Sequence, residues 1–448
     1  MFLQKIVLVL MALLVFAIPL GSGRYSFNID LGPIGLLSVV GILAFVFALA
    51  HLLFGHRGLA RAKVPMDPSV AVFGVFVALN FASVGWAQFP GVAVSSSFGY
   101  LQLLIFVWLL VFLRHDPRAF GILLHAFFAG SFLVLMVALY DIDAAGLETF
   151  EGQRYAGFDI HTNILAFKLA LGVAVAFYLF QRSNRALRWF YLAYIPGAAF
   201  LLVLTGSRTG FVILAFASAI GFWSVLKVES QGKFRWSTQR ILWSAASLAV
   251  VAIVAVPYVS EQLQFQTERI ATVTEDETAG GRAHLWAAAA RAYIDQPVLG
   301  VGSGGSRYVL RDYIGYDGLI VSLGIGRQVA HNVYLGVAAD TGTAGALLYL
   351  IALGLLLLRI VSFPRPERLL FLSLIGVALI AGMTLSLEQN RDFYFALFLS
   401  VAMATSRSNA SQFDRIGLRA GSPESATVQV AEVAQPRLSR VGRVRHQS

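Results

Sequence analysis

The residues of this chain whose types and spacing could do chemistry are arginines and histidines at the edges of apolar runs. Arg208 stands in the tight turn Thr205-Gly-Ser-Arg208-Thr-Gly210, where two such runs meet. A guanidinium at a membrane edge either snorkels to a lipid headgroup or clamps a phosphate through two parallel hydrogen bonds. Arg282 follows Gly280-Gly281 and opens a stretch to Asp295 that reads as an amphipathic helix, stopped by Pro297. Arginine together with the free amides of a helix start can cradle a diphosphate. Taken alone, Arg282 also reads as a solvated loop residue.

His331, in Ala330-His331-Asn332-Val-Tyr334, lies where a long polar loop returns to an apolar run. The positive end of the helix starting there disfavours imidazolium. His331 is therefore expected to be neutral near pH 7, the state a general base needs. The bland alternative is a structural histidine satisfied at an interface. Asn332 either orients a substrate or caps the helix. Upstream, Gly157-Phe-Asp159-Ile-His161-Thr-Asn163 precedes a run holding Lys168. His161 and Lys168 are seven apart and are expected on one helix face. Lys168 should face the bundle interior, meeting an anion or a carboxylate such as Glu388. Arg391 joins Glu388, His161 and Asn332 as a supporting residue on the same side of the membrane.

These residues need a membrane scaffold to hold them. Of 448 residues 58% are hydrophobic and 13% charged, against roughly a quarter charged in soluble domains. That excludes a soluble enzyme and a disordered chain. The absence of cysteine excludes disulfides and thiolate metal sites. About twelve runs are long enough to span a bilayer, near 3–20, 31–54, 67–87, 98–113, 119–140, 161–180, 189–205, 209–226, 241–257, 332–358, 369–387 and 392–405. The net charge of +10 comes from 34 Lys+Arg against 24 Asp+Glu. With the N-terminus in the cytoplasm, every cytoplasmic loop is basic, as the positive-inside rule requires. The charge thus marks topology and not nucleic-acid binding. The fold class expected is an all-α integral membrane protein with one large periplasmic loop. Residues 1–150 would be N-terminal transmembrane helices, 151–405 a second membrane region containing the loop 258–330, and 406–448 a disordered cytoplasmic tail.

Other signals are weaker. Gly300-x-Gly302-x-Gly304 lacks the strand–turn–helix setting of a dinucleotide loop but could make an anion-binding nest. Asp141-Ile-Asp143 has a form used by some metal-dependent glycosyltransferases, and Glu275-Asp276-Glu277 is acidic. Both read as solvated loops. A polytopic transporter or flippase is a more distant reading of the twelve spans and Lys168, although charges gathered at one face disfavour it.

Thr205-Gly-Ser-Arg208, Gly281-Arg282-x-x-x-Trp286, Asp295-Gln-Pro297-Val-Leu-Gly300-Val-Gly302 and His331-Asn332, in that order, resemble the O-antigen ligase/O-antigen polymerase superfamily. The resemblance covers roughly residues 155–400. It departs at His161, followed by Thr162 where the family commonly has proline. The resemblance implies a glycosyltransferase C-like fold in the bacterial inner membrane, with its active site facing the periplasm. The reaction it implies is inverting, independent of metal and of any cofactor. A glycan would pass from undecaprenyl pyrophosphate to a lipid A–core acceptor or, in the polymerase alternative, to a lipid-linked glycan repeat of O-antigen or exopolysaccharide. Carried over by motif, Arg208 and Arg282 bind the pyrophosphate and His331 is the catalytic residue. Surrounding membrane lipids are the remaining partners, with no nucleic acid.

Overall fold

A computed structural model of the chain describes residues 2–21, 36–54, 67–114, 116–145, 161–229, 282–314 and 328–403. No strand occurs among them. The helices are α1 (Phe2–Ala17), α2 (Leu36–Phe54), α3 (Pro68–Ala82), α4 (Pro90–Leu113), α5 (Ala119–Ala145), α6 (Thr162–Arg182), α7 (Arg185–Thr205), α8 (Arg208–Glu229), α9 (Arg282–Asp295), α10 (Ser306–Tyr313), α11 (Val333–Ile360), α12 (Arg365–Gly382) and α13 (Arg391–Phe398). The protein is an all-α integral membrane protein. Helices satisfy their own backbone polar groups, which hydrocarbon requires.

Among the described residues eight helices, α2 to α8 and α11, are long and apolar enough to cross a membrane. The expected twelve are not reached. At 16 residues, α1 is short. Arg365, Glu367 and Arg368 charge the first turn of α12. The eight residues of α13 pass into a 3-10 turn, Leu399–Ala402. The run 241–257 lies outside the described residues, as do the tail 406–448, Glu275 to Glu277, and the loop parts 258–281 and 315–327. Asp141 and Asp143 belong to the last turns of α5 and not to a loop.

Local sequence sets the ends. Pro68 and Pro90 occupy first-turn positions, where a missing N–H costs nothing. Asn184, Asn332 and Asn390 each accept backbone N–H groups as N-caps. Nearly all of α6 is buried, with a continuous buried run from Leu165 to Ala176. It packs against α5, α7, α8 and α12, while α1 lies on α2 and α5, and α11 on α3. Because α6 and α11 start beside His161 and His331, their far ends, at Arg182 and Arg359, share the opposite end of the bundle. There Arg182 pairs with Glu367, which also accepts from the Tyr178 hydroxyl at 3.0 Å. Arg359 pairs with Asp67, and its guanidinium donates to the Ser400 and Met403 carbonyls at 3.2 and 2.6 Å.

One interruption governs the site end. Gly342, inside α11, has φ 63° and ψ −165°, which breaks the helix. An intact helix would pair the Thr343 and Ala344 amides with the Ala339 and Asp340 carbonyls. Instead Thr343 and Ala344 donate to the Pro297 and Val298 carbonyls, at 2.8 and 3.2 Å. The vacated Ala339 and Asp340 carbonyls accept from the Val301 and Gly302 amides, at 3.0 and 2.9 Å. The chain segment after α9 thus replaces the missing helical partners, so the break is tolerated inside the protein. Glycine is required: a Cβ on residue 342 would stand 2.4 Å from the Val298 carbonyl. Of the glycine cluster, the Gly304 amide does meet an anion, and that anion is the protein's own. The Asp340 carboxylate accepts from the Ser306 amide at 2.8 Å and from the Gly304 amide. Ser303 then ties the segment to the start of the chain, donating through Oγ to Asn80 at 2.6 Å and through its amide to Ser83 Oγ at 3.0 Å.

The Arg359–Asp67 pair yields a stability prediction. Replacing Asp67 with Asn keeps the α3 cap but strands the guanidinium, which should cost about 3 kcal/mol. Thermal unfolding in detergent would show the loss, and the double variant D67N/R359M would recover most of it.

Candidate active site

Three helix starts and one turn converge at the end of the bundle where α11 begins. His331 immediately precedes the Asn332 cap, whose Oδ1 accepts from the Tyr334 and Leu335 amides at 3.0 and 3.1 Å. Of the two roles the sequence offers Asn332, the structure shows the cap. His331 itself has φ 48°, a left-handed conformation unusual for a residue with a Cβ. Its amide is held by Ser386 Oγ at 3.1 Å. Strain kept in place by a specific partner is common at functional sites.

Arg208 is the first residue of α8. Its turn is internally bonded: Gly206 is left-handed at φ 57°, Thr205 Oγ1 accepts from the Ser207 amide at 3.2 Å, and Ser207 Oγ caps the helix by accepting from Gly210 N at 3.0 Å. Thr209 Oγ1 meets Thr384 Oγ1 at 2.9 Å. The short stretch Thr384–Ser386 after α12 therefore grips both the Arg208 helix and the His331 backbone. Arg282 is the first residue of α9. Leu285, Ala288 and Ala289 seat that helix on Leu310, Ile314 and Ala330, next to His331. One turn along from Arg282, the buried indole N–H of Trp286 finds no acceptor among the described residues.

Electrostatics shows that these groups are neighbours. Burial lowers the Arg282 pKa, and the charge of Arg208 lowers it further. The His331 imidazole is pushed down to about 4, first by burial, then by Arg282 and His161. His331 is thus neutral at pH 7, as the sequence suggested. The helix dipole was the expected cause, whereas dehydration and a nearby guanidinium do most of it. The arrangement is a cationic mouth beside an uncharged imidazole, able to hold a compact polyanion next to a hydrogen-bond acceptor.

The structure brings Arg208, Arg282, His331 and His161 together but not the whole expected set. His161 has extended backbone, φ −128°, and α6 starts only after it. The shared helix face expected for His161 and Lys168 is therefore not present. His161 is exposed, while Lys168 is 1% exposed in the middle of the bundle. Glu388 is buried against Gly336 in the first turn of α11. Burial pushes its carboxyl up to about 7, Arg307 opposing and Asp340 adding to the rise. Arg391 donates to Ser38 and Gln102, on α2 and α4. Ser386, Thr384 and Arg307 were not singled out by the sequence, whereas Trp286 was, in the motif that it shares with Arg282. Only Trp286 carried a signal, its i, i+4 spacing from Arg282.

Residues 193–350 match the family model described as O-antigen ligase. The matched stretch contains Arg208, Arg282 and His331, whereas His161, Lys168, Glu388 and Arg391 fall outside it. No curated protein matches the chain.

The depressed His331 pKa makes a prediction. Its neutral form is favoured by folding, so this contribution to stability is complete above about pH 6.5 and is lost as pH falls toward 4. In histidine-labelled protein, the NMR resonance absent from H331N should titrate near pH 4. The substitution R282Q, which removes one of the two opposing charges, should move that titration upward.

Proposed function

We propose, for a chain that carries the O-antigen ligase domain of the O-antigen ligase/polymerase superfamily, that the site transfers a glycan from undecaprenyl pyrophosphate to a lipid-borne hydroxyl. The observation that carries this reading is the grouping of Arg208, Arg282 and a neutral His331 at one end of a membrane bundle. The acceptor is lipid A–core, the reaction an inverting one, and the site faces the periplasm of the bacterial inner membrane. The orientation is supported by the positive-inside pattern of the sequence and by Arg182 and Arg359, which lie at the opposite end of the bundle.

In this mechanism the acceptor oxygen attacks the anomeric carbon as the bond from that carbon to the pyrophosphate oxygen breaks. The acceptor hydroxyl proton passes to His331. The lipid diphosphate leaves with the bonding electron pair, and its added negative charge is met by Arg208 and Arg282. Those two charges occupy the role a metal would take. Donor binding also prepares the base. An imidazole held near 4 by burial and by the charge of Arg282 is a weak proton acceptor. A bound diphosphate offsets that charge, raises the proton affinity of His331 and brings it closer to the range effective at neutral pH.

The test is transfer by purified protein from a lipid-linked glycan to lipid A–core. H331A should lose about 100-fold or more, and R208A or R282A about as much, with expression unchanged. A chelator should leave the rate intact. Normal transfer by H331A and R208A would sink the mechanism, and dependence on a divalent ion would sink the arginine role. The polymerase alternative uses the same clamp and base with a lipid-linked repeat as acceptor. A deletion strain separates the two: loss of the ligase leaves free lipid-linked polymer, loss of the polymerase leaves single repeats.

A further inference from the structure

Away from His331, α1, α2 and α4 line a shallow, partly open groove with Arg391 at its edge. Leu14, Leu37, Gly41, Ile42, Leu103 and Phe106 supply most of its apolar wall. Ile42 is 45% exposed, so the wall reaches the lipid-facing surface. One residue of the lining is charged, Arg391. Its Nη2 donates to Ser38 Oγ at 3.1 Å and to Gln102 Oε1 at 3.3 Å, both uncharged partners. Among the described residues the carboxylate whose field it feels is that of its neighbour, Asp392. An arginine in the membrane facing a cavity is costly and calls for a function.

The charge and the wall together define the occupant. A free phosphate would satisfy the guanidinium and leave the apolar wall empty, and a neutral lipid would do the reverse. A lipid with a phosphate on its head satisfies both. The groove is also tied to the candidate active site. Ser386 holds the His331 amide, Glu388 packs on Gly336, Gln389 donates to Ser96, and Arg391 closes the groove. Ser386 and Arg391 are five positions apart, a span of at most about 18 Å.

We propose that the groove beneath Arg391 seats the acceptor, as a second lipid distinct from the donor, with its phosphate on Arg391 and its hydrocarbon along Leu14, Ile42 and Phe106. The assignment of the occupant as acceptor rests on the transferase reading, in either branch of which the acceptor lipid bears phosphate. The existence of a phosphate-lipid site does not rest on it.

The test uses the full chain in nanodiscs, photolabelled with a diazirine-tailed phosphatidic acid or with the diacylglycerol of the same chains. Two variants probe the site. R391Q keeps N–H donors for Ser38 and Gln102 but removes the charge. I42W fills the groove without touching a polar contact. The wild type should label with phosphatidic acid and weakly with diacylglycerol, both variants should lose labelling, and inorganic phosphate should not compete. In transfer assays both variants should raise the acceptor KM by about ten-fold with donor KM and kcat unchanged. Equal labelling by the two probes, labelling insensitive to both variants, or displacement by inorganic phosphate overturns the lipid site. Lost labelling with an unchanged acceptor KM, or with a raised donor KM, overturns the acceptor assignment. A wild type that labels as expected but transfers nothing supports the lipid site and counts against the transferase reading alone.

Discussion

Repulsion between Arg208 and Arg282 is the constraint around which the rest of the molecule is arranged. Burial disfavours the charge of Arg282, and the neighbouring Arg208 disfavours it further. Nothing in that local balance recommends putting them together. They stay together because each is the first residue of a helix whose position is set elsewhere: α8 by its bonded turn and by Thr384, α9 by its apolar seat against Leu310 and Ala330. Packing energy from the bundle and the loop is spent on holding like charges near a third group, His331, which responds by giving up its proton. A site prepared this way favours an anion before any ligand contact is counted.

The stretch between α12 and α13 is the organiser of this end. In a few residues it touches the Arg208 helix, the His331 backbone, the first turn of α11, α4 and the groove at Arg391. The opposite end has a different character. Its arginines meet carboxylates, at Asp67 and Glu367, and close the bundle. Arg359 and Arg182 there are neutralised within the protein, whereas at the site end the charge of Arg208 bears on Arg282, and that of Arg282 on His331. This division matches the distinction between arginines of the basic loops and those placed against the positive-inside bias.

Much of the scaffold was legible in the sequence because membrane helices announce themselves by length and hydropathy, and a cap was one of the two roles read for Asn332. Arg208, Arg282 and His331 stood out because charged or titratable residues at membrane edges are expensive. Their proximity did not follow from spacing. It depends on helix packing and on a loop whose seat no period reveals. His161 was misread because the helical face was extended one residue beyond the real helix start. The Gly342 break was invisible, since a glycine among Thr341 and Thr343 resembles ordinary small-residue packing. Of the glycines at 300, 302 and 304, which the sequence offered as an anion nest, Gly304 meets a carboxylate, and the sequence could not say that it would be that of Asp340, some forty residues on.

The interruption at Gly342 has a bearing on how the protein is made. Four backbone hydrogen bonds join Pro297–Gly302 to a helix synthesised after it, and Ser303 joins the same stretch to Asn80 and Ser83, synthesised long before. A nascent chain that has emerged only as far as α9 lacks the carbonyls and amides on which the following segment must rest. The arginine on α9 therefore cannot find its place until α11 is inserted, and a truncated translation product would be inert by construction, whatever its N-terminal helices had already achieved.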